Sequence, residues 1–328
     1  LDEARLNACS MDWSNFKAVA PVTLGRVKLD DIKIAWIIPY IDWKFFFHAW
    51  NLPAKFHTIT KINNSIKARA MWLESYRDDD REKGQEAAKL YYDALEMLQR
   101  FVSDNVDYIR AVFGIYEAYS KNDTINIGGV QFPFLRQQKK NEKNEYLCLS
   151  DFIAPYSSGK KDYVGAFAVT AGCGADDLLL RYKDDGDEYS SLLMKSLLDR
   201  LAEAATEWLH AKVRRYYWGY AADEELSIAE MFACKYNGIR PAVGYPSIPD
   251  QTVNFKLHDM LSTADIGISL TGNGVMYPNA SVSGFFFAHP CSKYFAIGEI
   301  SEEQVADYAQ RKGMKPEEIR KFLLANLR

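Results

Sequence analysis

The segment Tyr236 to Asp250, YNGIRPAVGYPSIPD, holds three prolines and two glycines in fifteen residues, so neither a regular helix nor a central strand can run through it. Each proline removes a backbone N–H and fixes φ, and the residue before it is pushed to extended geometry. The segment is therefore an ordered loop whose N–H and C=O groups are free to meet something other than their neighbours. Composition alone would make it a surface connection. A loop of this kind, which also holds a single arginine and two tyrosines, suits a small polar ligand.

The flanking chain alternates helix and strand signals. Ile32 to Leu52 is densely apolar and broken by Pro39, with Asp42 among aromatics, where a carboxylate is costly unless partnered. Its spacing makes Asp42 an N-cap for a helix starting near Trp43. Arg81 to Phe101 carries Ala87, Leu90, Ala94, Met97, Leu98 and Phe101 on one helical face. Ile109 to Tyr119 reads as a strand, and Gly128-Gly129 between Thr124–Ile127 and Val130–Phe134 reads as a hairpin turn. Leu147 to Pro155 is a short strand-like piece. Tyr163 to Thr170 is an unbroken apolar run of strand length, which predicts a strand covered on both faces.

Gly172 to Gly174 opens a helix at Asp176 and Asp177. Ser191 to Tyr217 is the longest helix signal, with Leu193, Leu197, Leu201, Ala204 and Trp208 in a stripe and Gly219 as its stop. Asp199, Glu203 and Glu207 lie one turn apart on the neighbouring stripe, the pattern of a wet face. Val253 to Leu261 forms a short helix, Ser281–Phe287 and Lys293–Gly298 a hairpin around Pro290-Cys291-Ser292, and Ser301–Gln310 with Pro316–Leu324 two closing helices. Residues 1 to about 20 are polar and aromatic, and are expected to be loosely held.

Composition excludes several classes. A charge of −4, from 44 acidic and 40 basic residues, gives no electrostatic footprint for nucleic acid or an anionic membrane, and RQQKKNEKNE at 136–145 has no interleaved aromatics. No apolar run approaches the roughly 20 residues of a membrane span. The five cysteines are scattered and form no Cys-x-x-Cys, so reduced cytosol is the expected compartment. The five histidines show no metal-binding spacing, and the Gly-x-Gly pairs at 172 and 272 lack a dinucleotide fingerprint's context. No Gly-x-Ser-x-Gly elbow is present, nor the first glycine a P-loop would need before Ser158-Gly-Lys-Lys.

The loop's Arg-Pro-Ala-x-Gly-Tyr-Pro followed by Pro-Asp resembles the S-adenosylmethionine signature of the activation (reactivation) domain of cobalamin-dependent methionine synthase. Tyr40-Ile-Asp-Trp43, Asp162 to Ala171, Tyr217 to Glu224, Ser281 to Pro290 and Ser292 to Phe295 extend the resemblance in the same order along the chain. It implies residues 27–328 as one α/β domain of the α+β type, a mixed, mostly antiparallel sheet flanked by helices around an open cleft. Residues 1–26 would then be a connector from an upstream module, and the absence of an initiator Met suits a fragment of a longer protein.

For the site, the resemblance implies Arg240 on the ligand's carboxylate and Asp42, with Glu203, on its ammonium. The backbone at Ala242 would read the adenine, and Tyr245, Tyr294 and Phe295 would line the ribose and sulfonium side. Asp42 thus carries two readings, cap and ligand contact, and so does Glu203, wet face and ligand-facing acid. Val243, Gln251 and Cys234 depart from the family's Pro, His and Glu, and no polar role is assigned to the last two.

The implied activity is reductive reactivation of methionine synthase, in which cob(II)alamin is reduced and the resulting cob(I)alamin takes the methyl of S-adenosylmethionine. The metal is the nucleophile, so no catalytic side chain is expected; the domain positions the methyl. Implied partners are the cobalamin module and a flavodoxin-like reductase. The rival readings are a stand-alone methyltransferase with another acceptor and a docking module for a reductase.

Overall fold

The chain, a computed structural model, is described for residues 1–63 and 65–327. The strands are β1 (Gly25–Leu29), β2 (Arg110–Lys121), β3 (Thr124–Ile127), β4 (Val130–Pro133), β5 (Asp162–Thr170), β6 (Ser269–Leu270), β7 (Met276–Tyr277) and β8 (Ser281–Phe286). The helices are α1 (Asp2–Leu6), α2 (Ile34–Ile37), α3 (Trp43–Ala49), α4 (Ile66–Glu74), α5 (Asp78–Ser103), α6 (Asp176–Asp184), α7 (Glu188–Lys212), α8 (Ile228–Phe232), α9 (Val253–Leu261), α10 (Glu302–Lys312) and α11 (Pro316–Phe322). The main sheet runs β4-β3-β2-β5-β8, with β1 also on β2 and all these pairings antiparallel; β6 and β7 form a separate ribbon. The fold is α+β, as expected.

Strand β5 is buried at every position, and its alternation explains the layers. Tyr163, Phe167 and Val169 join the core under α5 and α7, together with Phe113 and Ile115 of β2. Val164, Ala166 and Ala168 face the other way, into a second core closed by α9. Phe167 and Phe286 stack across β5 and β8 at 4.6 Å, which fastens α7's face of the sheet. The stripe read from sequence puts Leu193, Leu197, Leu201 and Ala204 of α7 into that core. Beyond Lys212 the helix widens into one π turn, Val213–Tyr217, before Gly219 takes φ +83° and ends it.

Three expectations are corrected. Leu147–Pro155 holds no strand; it contains a 3₁₀ turn at Leu149–Phe152, because the Asp151 carboxylate accepts from Cys148 N–H (2.9 Å) and is gripped by two Arg136 nitrogens at 2.6 and 2.8 Å. Lys293–Gly298 forms no strand either, since the place beside β8 is taken by Ile239 and Ala242, which bridge to Phe287 and Gly284. The N-terminal segment is anchored: Arg5 binds Asp123 and Asp307, both at 2.8 Å, and Trp13 and Phe16 pack on His289.

Candidate functional site

The Pro-rich loop meets the sheet as a broken edge strand. Phe285 N–H donates to Pro241 O (3.0 Å) and Val243 N–H to Ser283 O (2.9 Å), so Pro241 uses its carbonyl where it has no N–H to offer. Ala242 lies between these bonds, opposite Gly284, and its own N–H therefore points away from β8. That N–H has no hydrogen-bond partner among the described residues. Gly244, at φ +87°, then turns the chain so that Tyr245 projects back toward α7.

Helix α7 supplies the opposite wall. Glu203 and Glu207 stand one turn apart, and each is bonded to the loop. Arg240 Nη2 donates to Glu207 Oε2 at 3.0 Å, and the Tyr245 hydroxyl donates to Glu203 Oε1. The Arg240 backbone N–H donates to the Tyr294 hydroxyl (2.9 Å), which lies 3.0 Å from that of Tyr236. Asp42 closes one end: it is the N-cap of α3, accepting from Lys44 N–H at 2.9 Å, and it also lines the cleft.

All seven residues expected at the site, Asp42, Glu203, Arg240, Ala242, Tyr245, Tyr294 and Phe295, line one open cleft of about 680 Å³. That volume falls in the range of small-molecule sites. For Asp42 the cap reading holds, since its carboxylate accepts the Lys44 N–H, and the residue also lines the cleft. The sequence reading of Glu207 as solvated is corrected: its side chain is only 9% exposed and pairs with Arg240, whose side chain is 14% exposed. Asp199 does face solvent. Glu207 could have been found from its place one turn after Glu203. Tyr236, also missed, is held by its hydroxyl against Tyr294 and by Arg214, whose guanidinium stacks on its ring at 4.3 Å.

The electrostatics follow from this packing. Burial opposes the charge on Arg240, but Glu207, with Tyr294 and Tyr236, outweighs it and holds the guanidinium protonated. Burial pushes the Tyr245 hydroxyl up, as does the Glu203 charge, and burial does the same for Tyr236 and Tyr294. All three remain neutral donors. Behind the cleft His210 is fully buried between Tyr236 and Phe286, and burial, then Arg214 and Arg240, keeps it neutral. Three carboxylates against two guanidinium groups leave the cleft lining one negative charge in excess. Arg240 Nε and Glu207 Oε1 are buried without a hydrogen-bond partner among the described residues. Among the described residues no cluster of His, Cys, Asp and Glu could hold a metal ion, and no helix is long and apolar enough to cross a membrane.

Comparison with known proteins gives a family model for the vitamin B12-dependent methionine synthase activation domain, which matches residues 33–313. A solved structure, that of the MetH reactivation domain bound to AdoHcy, superposes with a TM-score of 0.88 at 37% identity, covering 100% of this chain and 98% of that one. The chain belongs to the activation-domain family of vitamin B12-dependent methionine synthases.

Proposed function

We propose that the cleft binds S-adenosylmethionine and presents its methyl group at the open face to cobalamin held on a separate module, so that an oxidised methionine synthase regains its methylated cofactor. The carrying observation is that the seven residues named from sequence converge on one cleft. The donor set fits the ligand. Arg240, fixed by Glu207, keeps further guanidinium donors for a carboxylate, and Asp42 and Glu203, each with one bond inside the protein, keep acceptor capacity for an ammonium. The unpaired Ala242 N–H suits an adenine nitrogen, and Tyr245, Tyr294 and Phe295 offer π faces to the sulfonium. S-Adenosylmethionine supplies an electrophilic methyl and cobalamin a nucleophilic metal. The residues of this chain bind, orient and leave one side of the ligand open, and none acts as a base.

On this reading the isolated chain does not turn over; it acts as part of a methyltransferase in the cytoplasm, with the cobalamin module and a flavodoxin-like reductase as partners. Residues 1–26 would be the approach from an upstream module. Titration calorimetry with S-adenosylmethionine tests the site. Saturable binding that Arg240→Ala abolishes, with the fold of the variant verified by circular dichroism, is the expected result. Equal binding by both proteins would remove Arg240 from the site, and no binding by the unaltered chain, alone or with a cobalamin module added, would end the reading.

A further inference from the structure

We propose that Glu207 is a specificity-determining residue of this cleft, whose buried charge favours the sulfonium form of the ligand over the demethylated thioether. The inference rests on the reading of the cleft as an S-adenosylmethionine site.

S-Adenosylmethionine carries an ammonium, a carboxylate and a sulfonium, a net charge of about +1 near neutral pH, whereas S-adenosylhomocysteine lacks the sulfonium and is neutral overall. The two ligands share every other group. Any change in their relative affinity therefore reports the charge seen at the sulfur. The cleft lining has one negative charge in excess, so it complements the methyl donor and not the product.

Among the three carboxylates Glu207 is the one suited to act through its field. Asp42 and Glu203 are placed for direct contact with an ammonium, and losing either would weaken both ligands alike. Glu207 is tied to Arg240 at 3.0 Å and is 9% exposed, so its charge lies where water screens it least. Its other oxygen, Oε1, is buried with no hydrogen-bond partner among the described residues, so half of the carboxylate is not committed to Arg240. The arrangement lets one residue hold the guanidinium in place and also set the sign of the cleft. A site that loses its complement when the methyl leaves releases its product.

The test measures dissociation constants for both ligands with the unaltered chain, Glu207→Gln and Glu207→Asp. Gln keeps the shape and an acceptor for Arg240 while removing the charge. Asp keeps the charge while drawing it back from Arg240. The expected result is that Gln shifts the ratio of the two constants about tenfold against S-adenosylmethionine, while Asp weakens both ligands and keeps the ratio. An unchanged ratio in Gln overturns the inference, whether both affinities fall together or neither moves. Binding of S-adenosylhomocysteine by Gln, together with an unaltered thermal transition, establishes that the variant is folded. Failure of the unaltered chain to bind either ligand is the separate outcome that ends the reading of the cleft, and this inference with it.

Discussion

Ala242 faces Gly284 across the edge of the sheet so closely that a Cβ on Gly284 would lie 2.2 Å from the Pro241 carbonyl oxygen and 2.8 Å from the Ala242 Cα. The Pro-rich loop is thus seated on backbone, without an intervening side chain. Gly284→Ala must push the loop away from β8, costing about 1–3 kcal/mol of stability by overpacking. It should also weaken ligand binding, because Ala242 and Arg240 move together. Denaturant unfolding and calorimetry on the same variant check this; unchanged binding would mean that the loop keeps its shape independently of β8.

Asp42 caps α3 and also lines the cleft, and one substitution separates the two. Asn is as good an N-cap as Asp, so Asp42→Asn should keep the Lys44 bond and leave stability within about 0.5 kcal/mol. It removes the carboxylate that faces the cleft, and ligand affinity should fall about tenfold. Loss of stability without loss of affinity would leave Asp42 only as a cap.

The far end of the loop is anchored by a buried ion pair. Asp250 accepts from the Lys312 ammonium at 2.5 Å and from the Tyr308 hydroxyl at 2.8 Å, and its side chain is 1% exposed. Burial pushes the Asp250 carboxyl up, but the Lys312 charge and the bonds from Lys312 and Thr252 outweigh it and hold it below the usual carboxylate range. Lys312→Met leaves that carboxylate buried without its cation, and should cost about 3–5 kcal/mol. Adding Asp250→Asn should recover part of the loss, as measured by denaturant unfolding of the single and double variants. A double variant no more stable than the single one would show that the charge is not what the pair contributes.

Asp162 gives the domain a pH signature. Burial pushes its carboxyl up to about 6, against the pull of the Ala154 and Tyr163 N–H groups. The folded protein then holds this proton more tightly than the unfolded chain, whose carboxyl titrates near 3.9. The stability gained from protonation is complete below that unfolded value and is lost as pH rises through about 6. The difference in unfolding free energy between the unaltered chain and Asp162→Asn should therefore fall by about 2 kcal/mol from pH 4 to 7. A difference that stays flat would show that the carboxyl titrates normally.

Local pattern carried the longer helices, most of the strands and the seven residues that line the cleft. Apolar periodicity is a local property, so α5, α7, β2, β5 and the β3–β4 hairpin were legible from spacing. The seven residues that meet at the cleft were named because the loop and its companion motifs resemble those of the activation domains. What takes the open edge of β8 was settled by long-range packing. A hairpin with Lys293–Gly298 and an edge formed by Ile239–Val243 satisfy the same backbone groups, and nothing local chooses between them. The tertiary structure likewise decided Glu207. A carboxylate on a helix stripe reads as solvated until a partner comes from far along the chain, and Arg240 arrives 33 residues later. Burial and charge pairing are set by what packs against a residue, and that depends on the whole fold rather than on the helix that carries it.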